Sequence, residues 1–181
     1  MSRIETADFF LDKAKFSDWE AMYRNVWRHP ECARYMMWRV TESEDDARAR
    51  IQRTIEFQKT HDTYLVYDKM TREAIGFAGV EQVSPDMFME AGVCLGPEYQ
   101  GKGYGRQILG CLIDYCRREF GAKEFLLYTR GDNQAAKRVV HSFGFVFEGS
   151  EEKTDERNGQ TYMMEKYRLG INSSPLSETY K

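Results

Sequence analysis

Three glycines at alternate positions, Gly101, Gly103 and Gly105, carry Lys102 between them and Arg106 just after. They follow an apolar run that breaks at Gly96-Pro97, and they precede an amphipathic run. Residues without Cβ let the backbone take positive φ and approach a ligand closely. A helix that begins there presents unpaired N–H groups and the positive end of its dipole. Strand, glycine turn and helix start together make a cradle for a diphosphate, with Lys102 and Arg106 adding charge-assisted contacts to its oxygens. Two common diphosphate loops are excluded by counting. G-x-G-x-x-G needs a glycine where Arg106 or Ile108 stands, and G-x-x-x-x-G-K-[ST] fails because Gly101-Lys102 is followed by Gly103.

What fits is Gln100-x-x-Gly103-x-Gly105. It resembles the acetyl-CoA signature [RQ]-x-x-G-x-[GA] of the GNAT superfamily of N-acetyltransferases. The loop alone is also compatible with a strand-to-helix turn that holds no ligand. Asn133-x-x-Ala136, followed by Gly144-Phe145, resembles the second half of the same family's core. The resemblance covers Glu73 to Leu169 and is weaker before it. The run from Ala91 to Gly103 looks closest to the ribosomal-protein N-acetyltransferase branch (RimJ/RimL-like). The resemblance implies a mixed α/β GNAT acyl-CoA N-acyltransferase fold. In that fold a central, mostly antiparallel sheet is flanked by helices, with a splayed parallel pair at the CoA site. It implies acetyl-CoA as co-substrate, with contacts from Gln100, Gly101, Lys102, Gly103, Tyr104, Gly105, Arg106 and Asn133. It also implies that backbone N–H groups of Val93, Cys94 or Leu95 face the thioester oxygen.

Acetyl transfer to an amine needs the amine neutral, negative charge on the thioester oxygen stabilised, and the thiolate released. A lysine-like amine has a pKa of about 10.4 and an α-amine about 8, so the second is far easier to deprotonate. Glu90 is an acid in an otherwise apolar strand beside the cradle, and partial burial would raise its pKa toward that of a useful base. Its alternative is an exposed strand residue paired with a Lys or Arg. By strand alternation Glu90, Gly92 and Cys94 share one face and Met89, Ala91, Val93 and Leu95 the other. Cys94 as an acetyl-carrying nucleophile competes with simple packing, which the family's direct transfer favours. Tyr99 as a proton donor competes with packing on its own turn, and Asn133 as a cofactor contact competes with a plain helix cap. Many family members carry a tyrosine on the second core helix as the acid for the thiolate; here that position is Val140. His141 beside it is about a hundred degrees round the helix and should not point the same way. Trp27, Tyr35, Met37 and Trp38 fall where the family builds its acceptor pocket, and an aromatic cluster there serves a core equally well.

The elements that must position these residues are legible in order. A first strand lies near Phe9–Phe16. Ser17 with Glu20 reads as a capping box opening a helix that His29-Pro30 ends. A short helical piece follows from Glu31 to Met36. Ser43-Glu44-Asp45-Asp46 opens a helix that runs to about Thr60, its acidic first turn suiting the dipole without any metal. Strands follow at Thr63–Tyr67, Ala74–Val83 and Met87–Leu95. A helix from Gly105 to Phe120 carries Ile108, Leu109, Leu112, Ile113 and Cys116 on one stripe, with Gly121 as its stop. A buried strand at Glu124–Thr129 and a helix capped at Asp132-Asn133 come next. That helix shows Ala136, Val139, Val140 and Phe143 as its apolar face. Two final strands join through Asn158-Gly159, the strongest hairpin signal in the chain.

Composition narrows the class. The chain has 181 residues, enough for one well-packed domain, expected over residues 1–170 with a polar tail at 171–181. A net charge of −3, from 26 basic and 29 acidic residues, argues against nucleic acid as a partner. Four cysteines without CxxC spacing and three histidines argue against a metal site. No apolar run approaches membrane-spanning length, and no leader-like segment opens the sequence, so the expectation is a cytoplasmic enzyme with reduced thiols and no membrane partner. The expected partner is an amine acceptor, either a protein N-terminus or a small molecule such as a polyamine or antibiotic. The reading from another class is a non-catalytic acyl-CoA-binding sensor. A homodimer is left open.

Overall fold

A computed structural model describes residues 4–171, and the last residues of the expected tail lie outside them. Eight strands form one sheet in the order β1-β2-β3-β4-β5-β6-β8-β7. They are β1 (Ile4–Glu5), β2 (Phe9–Asp12), β3 (Thr63–Asp68), β4 (Ala74–Ser84), β5 (Met87–Leu95), β6 (Glu124–Arg130), β7 (Val146–Thr154) and β8 (Thr161–Gly170). Every neighbouring pair is antiparallel except β5 and β6, which run parallel. None of the described helices is long and apolar enough to cross a membrane.

Two cores lie on the two faces of the sheet. On one face pack α4 (Tyr104–Phe120) and α5 (Gln134–Ser142). Ile108, Leu109, Leu112, Ile113, Cys116 and Val140 from these helices meet Tyr64, Val66, Ala78, Val80, Phe88 and Leu95 from the strands. On the other face lie α1 (Trp19–Met22), α2 (Pro30–Ala33) and α3 (Glu44–Gln58). There Met22, Cys32, Ala47 and Ile51 pack with Leu65, Tyr67 and Cys94. The stripe on α4 decides that helix. Ile108, Leu112 and Ile113 are each 0% exposed, worth about 1.5–3 kcal/mol apiece. That outweighs the cost of about 1 kcal/mol each for Gly105 and Gly110 inside the helix.

Two local readings change. The first helix does not start on a Ser17 capping box. Asp18 instead turns back, accepting from the Lys15 N–H at 2.7 Å and from the Tyr67 hydroxyl at 2.7 Å. That starts the chain in a 3-10 turn at Phe16–Asp18, followed by α1 and a π-helical turn at Tyr23–Trp27. The Tyr67 hydroxyl, reaching from the sheet, recruits Asp18. The final hairpin forms, but its connection spans Asp155–Gln160, and Gly159 takes φ +74°. The Asp155 carbonyl accepts from the N–H groups of both Asn158 (3.2 Å) and Gly159 (2.7 Å).

Candidate active site

The site begins where β5 and β6 part. They pair only over Met87–Glu124, Phe88–Phe125 and Met89–Leu126. Beyond that β6 stays with β8 to Arg130, while β5 stays with β4 to Leu95. A parallel pair that separates leaves its inner backbone groups facing a cleft. On the β5 side the Gly96 N–H donates to the Ile75 carbonyl at 2.8 Å. Successive residues of a strand point their N–H groups to opposite edges. The N–H groups of Val93 and Leu95 therefore face the cleft, and that of Cys94 faces β4.

A bulge sets which side chains meet there. Val80 pairs with Glu90, but Ala78 pairs with Val93, so β5 carries an extra residue opposite Gly79. Gly92, at φ +104°, absorbs it. The extra residue shifts the alternation by one. Glu90 shares its face with Val93 and Leu95, and Cys94 points to the opposite face, contrary to simple counting. Glu90 is partly open and surrounded by protein. Burial pushes its carboxyl up to about 7, and the Gly92 N–H donating to it pulls the other way. No basic partner stands among the causes of that shift.

Cys94 sits against Cys32 of α2. Its thiol lies 3.7 Å from the Cys32 carbonyl, and the Cys32 thiol donates to the Leu95 carbonyl at 3.4 Å. The hydrogen bond between the two thiols, then burial, holds Cys94 strongly protonated. That is the opposite of an activated nucleophile.

The glycine loop runs from a short 3-10 turn at Pro97–Tyr99 into α4. Gly101 and Gly103 take φ +74° and +82°, and a Cβ built on Gly101, Gly103 or Gly105 meets nothing within 4 Å. The cradle is thus backbone with open space over it. The N-cap of α4 is Gly103, which has no side chain to offer the first-turn N–H groups, and the helical ladder begins with Gln107 N–H donating to the Gly103 carbonyl at 3.2 Å. These features fit a diphosphate. The side chains of the loop divide. Lys102 lies over the Tyr99 ring at 5.5 Å, and Tyr104 packs edge-on against Phe9 at 5.6 Å. The Gln100 amide donates to the Leu95 carbonyl at 2.8 Å, tying the loop to β5 rather than lining the cradle. Arg106 is half-buried on the first turn of α4.

Asn133 caps α5, its Oδ1 accepting from the Ala136 N–H at 3.2 Å. Its amide nitrogen is a separate donor at the same helix end. Val140 is 0% exposed in the core beneath α5. His141 is exposed and faces Tyr167 with ring centroids 6.0 Å apart.

One cluster escaped the sequence reading. Asp155, 3% exposed, accepts from Arg130 Nη2 at 2.8 Å and from Arg157. These charge-assisted bonds, Arg157's first, hold its carboxyl far below the usual range. The Arg130 guanidinium also lies 3.8 Å over the Tyr162 ring. The cluster borders an open cavity of about 560 Å³ lined by α2 and the residues after it, the end of β6 and the final hairpin connection. Asp155-Glu156-Arg157-Asn158 reads as turn chemistry in sequence, and no spacing links Arg157 to residues more than a hundred positions away.

Residues 8–146 match the family described as acetyltransferase (GNAT) domain. Among solved structures, a GNAT-family acetyltransferase from Bacillus anthracis superposes with a TM-score of 0.79 at 18% identity, covering 93% of this chain and 98% of its own. RimL, a ribosomal L7/L12 alpha-N-protein acetyltransferase in complex with coenzyme A, gives 0.79 at 23% identity, covering 96% and 100%. The microcin C7 self-immunity acetyltransferase MccE, in complex with acetyl-CoA and AMP, gives 0.77 at 19%, covering 92% and 94%. An uncharacterised protein of Mycobacterium leprae is 31% identical over 74 residues, which span 39% of this chain and only 20% of that protein. GNAT acetyltransferases use acetyl-CoA, and the uncapped glycine turn ahead of α4 suits its diphosphate. With the family match running through the cleft strand, the glycine loop and both core helices, the chain belongs to the GNAT acetyltransferase family.

Proposed function

We propose that this chain transfers the acetyl group of acetyl-CoA directly to a primary amine, with Glu90 as general base. The observation that carries the reading is the junction of β5 and β6. There a carboxyl pushed up to about 7 lies on a strand whose Val93 and Leu95 N–H groups face the opening between them. Acetyl-CoA supplies the activated acyl group. The α4 first turn, with Gly101, Gly103 and Gly105, holds its diphosphate, Lys102 and Arg106 stand around that end, and the Asn133 amide contacts the CoA arm. The N–H groups of Val93 and Leu95 stabilise the charge that builds on the thioester oxygen. Glu90 takes the proton of the attacking amine, directly or through one water.

The pKa match favours an α-amine as acceptor. A base near 7 removes a proton from an amine of pKa about 8 at small cost, whereas a lysine amine at about 10.4 is some three units uphill. The RimL neighbours, described as acting on a ribosomal-protein α-amine, agree with that choice. The test is thiol release from acetyl-CoA with a panel of peptide α-amines, lysine-like amines and polyamines. Release with α-amino peptides and little with the others is the expected result. Binding of acetyl-CoA without release to any amine would make the chain a sensor. Release mainly with polyamines would move it to the small-molecule acetyltransferases.

Asn133→Asp separates capping from cofactor contact. Asp caps a helix as well as Asn, so the melting temperature is expected to hold. The substitution removes the amide donor and adds negative charge near an anionic cofactor, so acetyl-CoA affinity is expected to fall about tenfold, the loss of one hydrogen bond. Titration of acetyl-CoA against the variant reads this directly, and unchanged affinity would reduce Asn133 to a cap.

A further inference from the structure

We infer that Arg157 is the positioning residue for the acceptor: it holds the α2 wall of the acceptor pocket in place, and thereby sets acceptor affinity without touching acetyl-CoA. The inference rests on the acetyl-transfer reading above.

Arg157 stands in the final hairpin connection, yet it binds the segment from Ala33 to Trp38. Its Nη1 donates to the carbonyls of Ala33 at 2.7 Å and Trp38 at 3.0 Å. Its Nη2 donates to the Arg34 carbonyl at 3.3 Å and to Asp155 Oδ2 at 2.6 Å, and its Nε donates to Asp155 Oδ1 at 2.9 Å. A guanidinium has five N–H donors in a fixed fork, and here each has an acceptor. Nothing is left for a ligand, so Arg157 acts on the wall. Asp155 anchors the other end, since it also accepts from the Arg157 backbone N–H at 3.0 Å and from Arg130 at the end of β6 at 2.8 Å.

The wall it holds is close to the chemistry. α2 meets β5 through the Cys32 thiol on the Leu95 carbonyl. Leu95 is one of the two residues whose N–H groups face the cleft. The Ala33 carbonyl, which also accepts from the Met36 N–H at 3.1 Å, and the Arg34 carbonyl that Arg157 takes both lie at the end of this one-turn helix. The cavity of about 560 Å³ lies between this wall and the hairpin. Tyr35 reaches across it to the Asp132 carbonyl at 3.5 Å. A wall pinned at Cys32 inside and at Arg157 outside fixes the width of the pocket. Released on the outer side, it changes where the acceptor sits, while the inner pin at Cys32 keeps the Leu95 carbonyl, and the glycine loop that Gln100 ties to it, in place.

The test compares Arg157→Lys with the unaltered chain, both as full-length protein, using acetyl-CoA and an α-amino peptide. Lysine keeps the positive charge for Asp155 but is a point charge that cannot span three carbonyls. The expected result is an acceptor KM raised about tenfold or more with kcat held within about twofold. The acetyl-CoA thermal shift is expected to be unchanged. Arg157→Ala is expected to show the same split, and guanidinium ion at low millimolar concentration to restore its acceptor KM. A wild-type acceptor KM in Arg157→Lys overturns the proposal. So does a loss shared equally by kcat, acceptor KM and acetyl-CoA affinity, or failure of both variants to fold, since either makes Arg157 a stability residue only. Failure of the unaltered chain to acetylate any amine would instead sink the underlying reading of the activity.

Discussion

Glu90→Gln is expected to lower turnover by about a hundred- to ten-thousandfold, the usual effect of removing a positioned base, with acetyl-CoA affinity unchanged. Glutamine keeps the shape and can still accept from the Gly92 N–H, so the bulge should survive. The pH dependence identifies the cause. The carboxyl is pushed up to about 7 by burial. In the unaltered enzyme, kcat/KM should rise as pH passes through that value and level off above it. In the variant that limb should vanish, and the residual rate should climb only as the acceptor amine itself loses its proton, so the deficit shrinks at high pH. Stability should move the other way. The folded-state pKa lies above the ordinary 4.5, so the contribution of Glu90 to stability is full below pH 4.5 and is lost as pH rises through 7. At pH 8 the variant should therefore be the more stable protein, by about 2 kcal/mol, a shift discounted for the side chain's partial opening to the cleft. A variant with the parent's pH–rate profile would leave backbone polarisation and positioning as the whole mechanism.

Gly105→Leu is expected to abolish acetyl-CoA binding without harming the fold. The unaltered chain with acetyl-CoA at a hundredfold its dissociation constant should gain about 2.7 kcal/mol, roughly 5–10 °C in melting temperature for a protein of this size. A Cβ on Gly105 meets nothing within 4 Å, and the residue sits inside α4 at helical φ. Leucine there should even stabilise the apo helix by somewhat under 1 kcal/mol. The space its side chain enters is the space over the cradle. Gly103 is the poorer position for this test, because its φ of +82° strains any L side chain whether or not a cofactor binds. An apo melting temperature at or above the parent's, with no response to acetyl-CoA, is the expected pair of readings. A full thermal shift in Gly105→Leu would move the diphosphate away from this loop.

The Arg157 inference and the Glu90 prediction depend on different kinds of information. Glu90 was visible as a lone acid in an apolar strand, and Gly101, Gly103 and Gly105 as a cradle, because both signals are local. Positive φ at glycine, the five-residue stripe of α4 and the Asn133 cap are properties of neighbouring residues. So is the Ser43 cap of α3, whose hydroxyl accepts from the Asp46 N–H at 3.1 Å. Residue types alone therefore determined most of the elements, the glycine loop and the acid beside it.

The tertiary structure decided everything that depends on a partner distant in the chain. Gly92 became a bulge only against β4, where Ala78 pairs with Val93 and Val80 with Glu90, leaving β5 one residue too long. That single residue moved Cys94 onto α2 and put Glu90 beside Val93 and Leu95. The Ser17 capping box gave way to a 3-10 turn in which Tyr67, on a strand, offers Asp18 a hydroxyl. Arg157 found its carbonyls 119 to 124 positions away. Periodicity and capping are read along the chain, but register, bulge and bridge are settled between segments, where each hydrogen bond is chosen against every other partner that folding brings within reach.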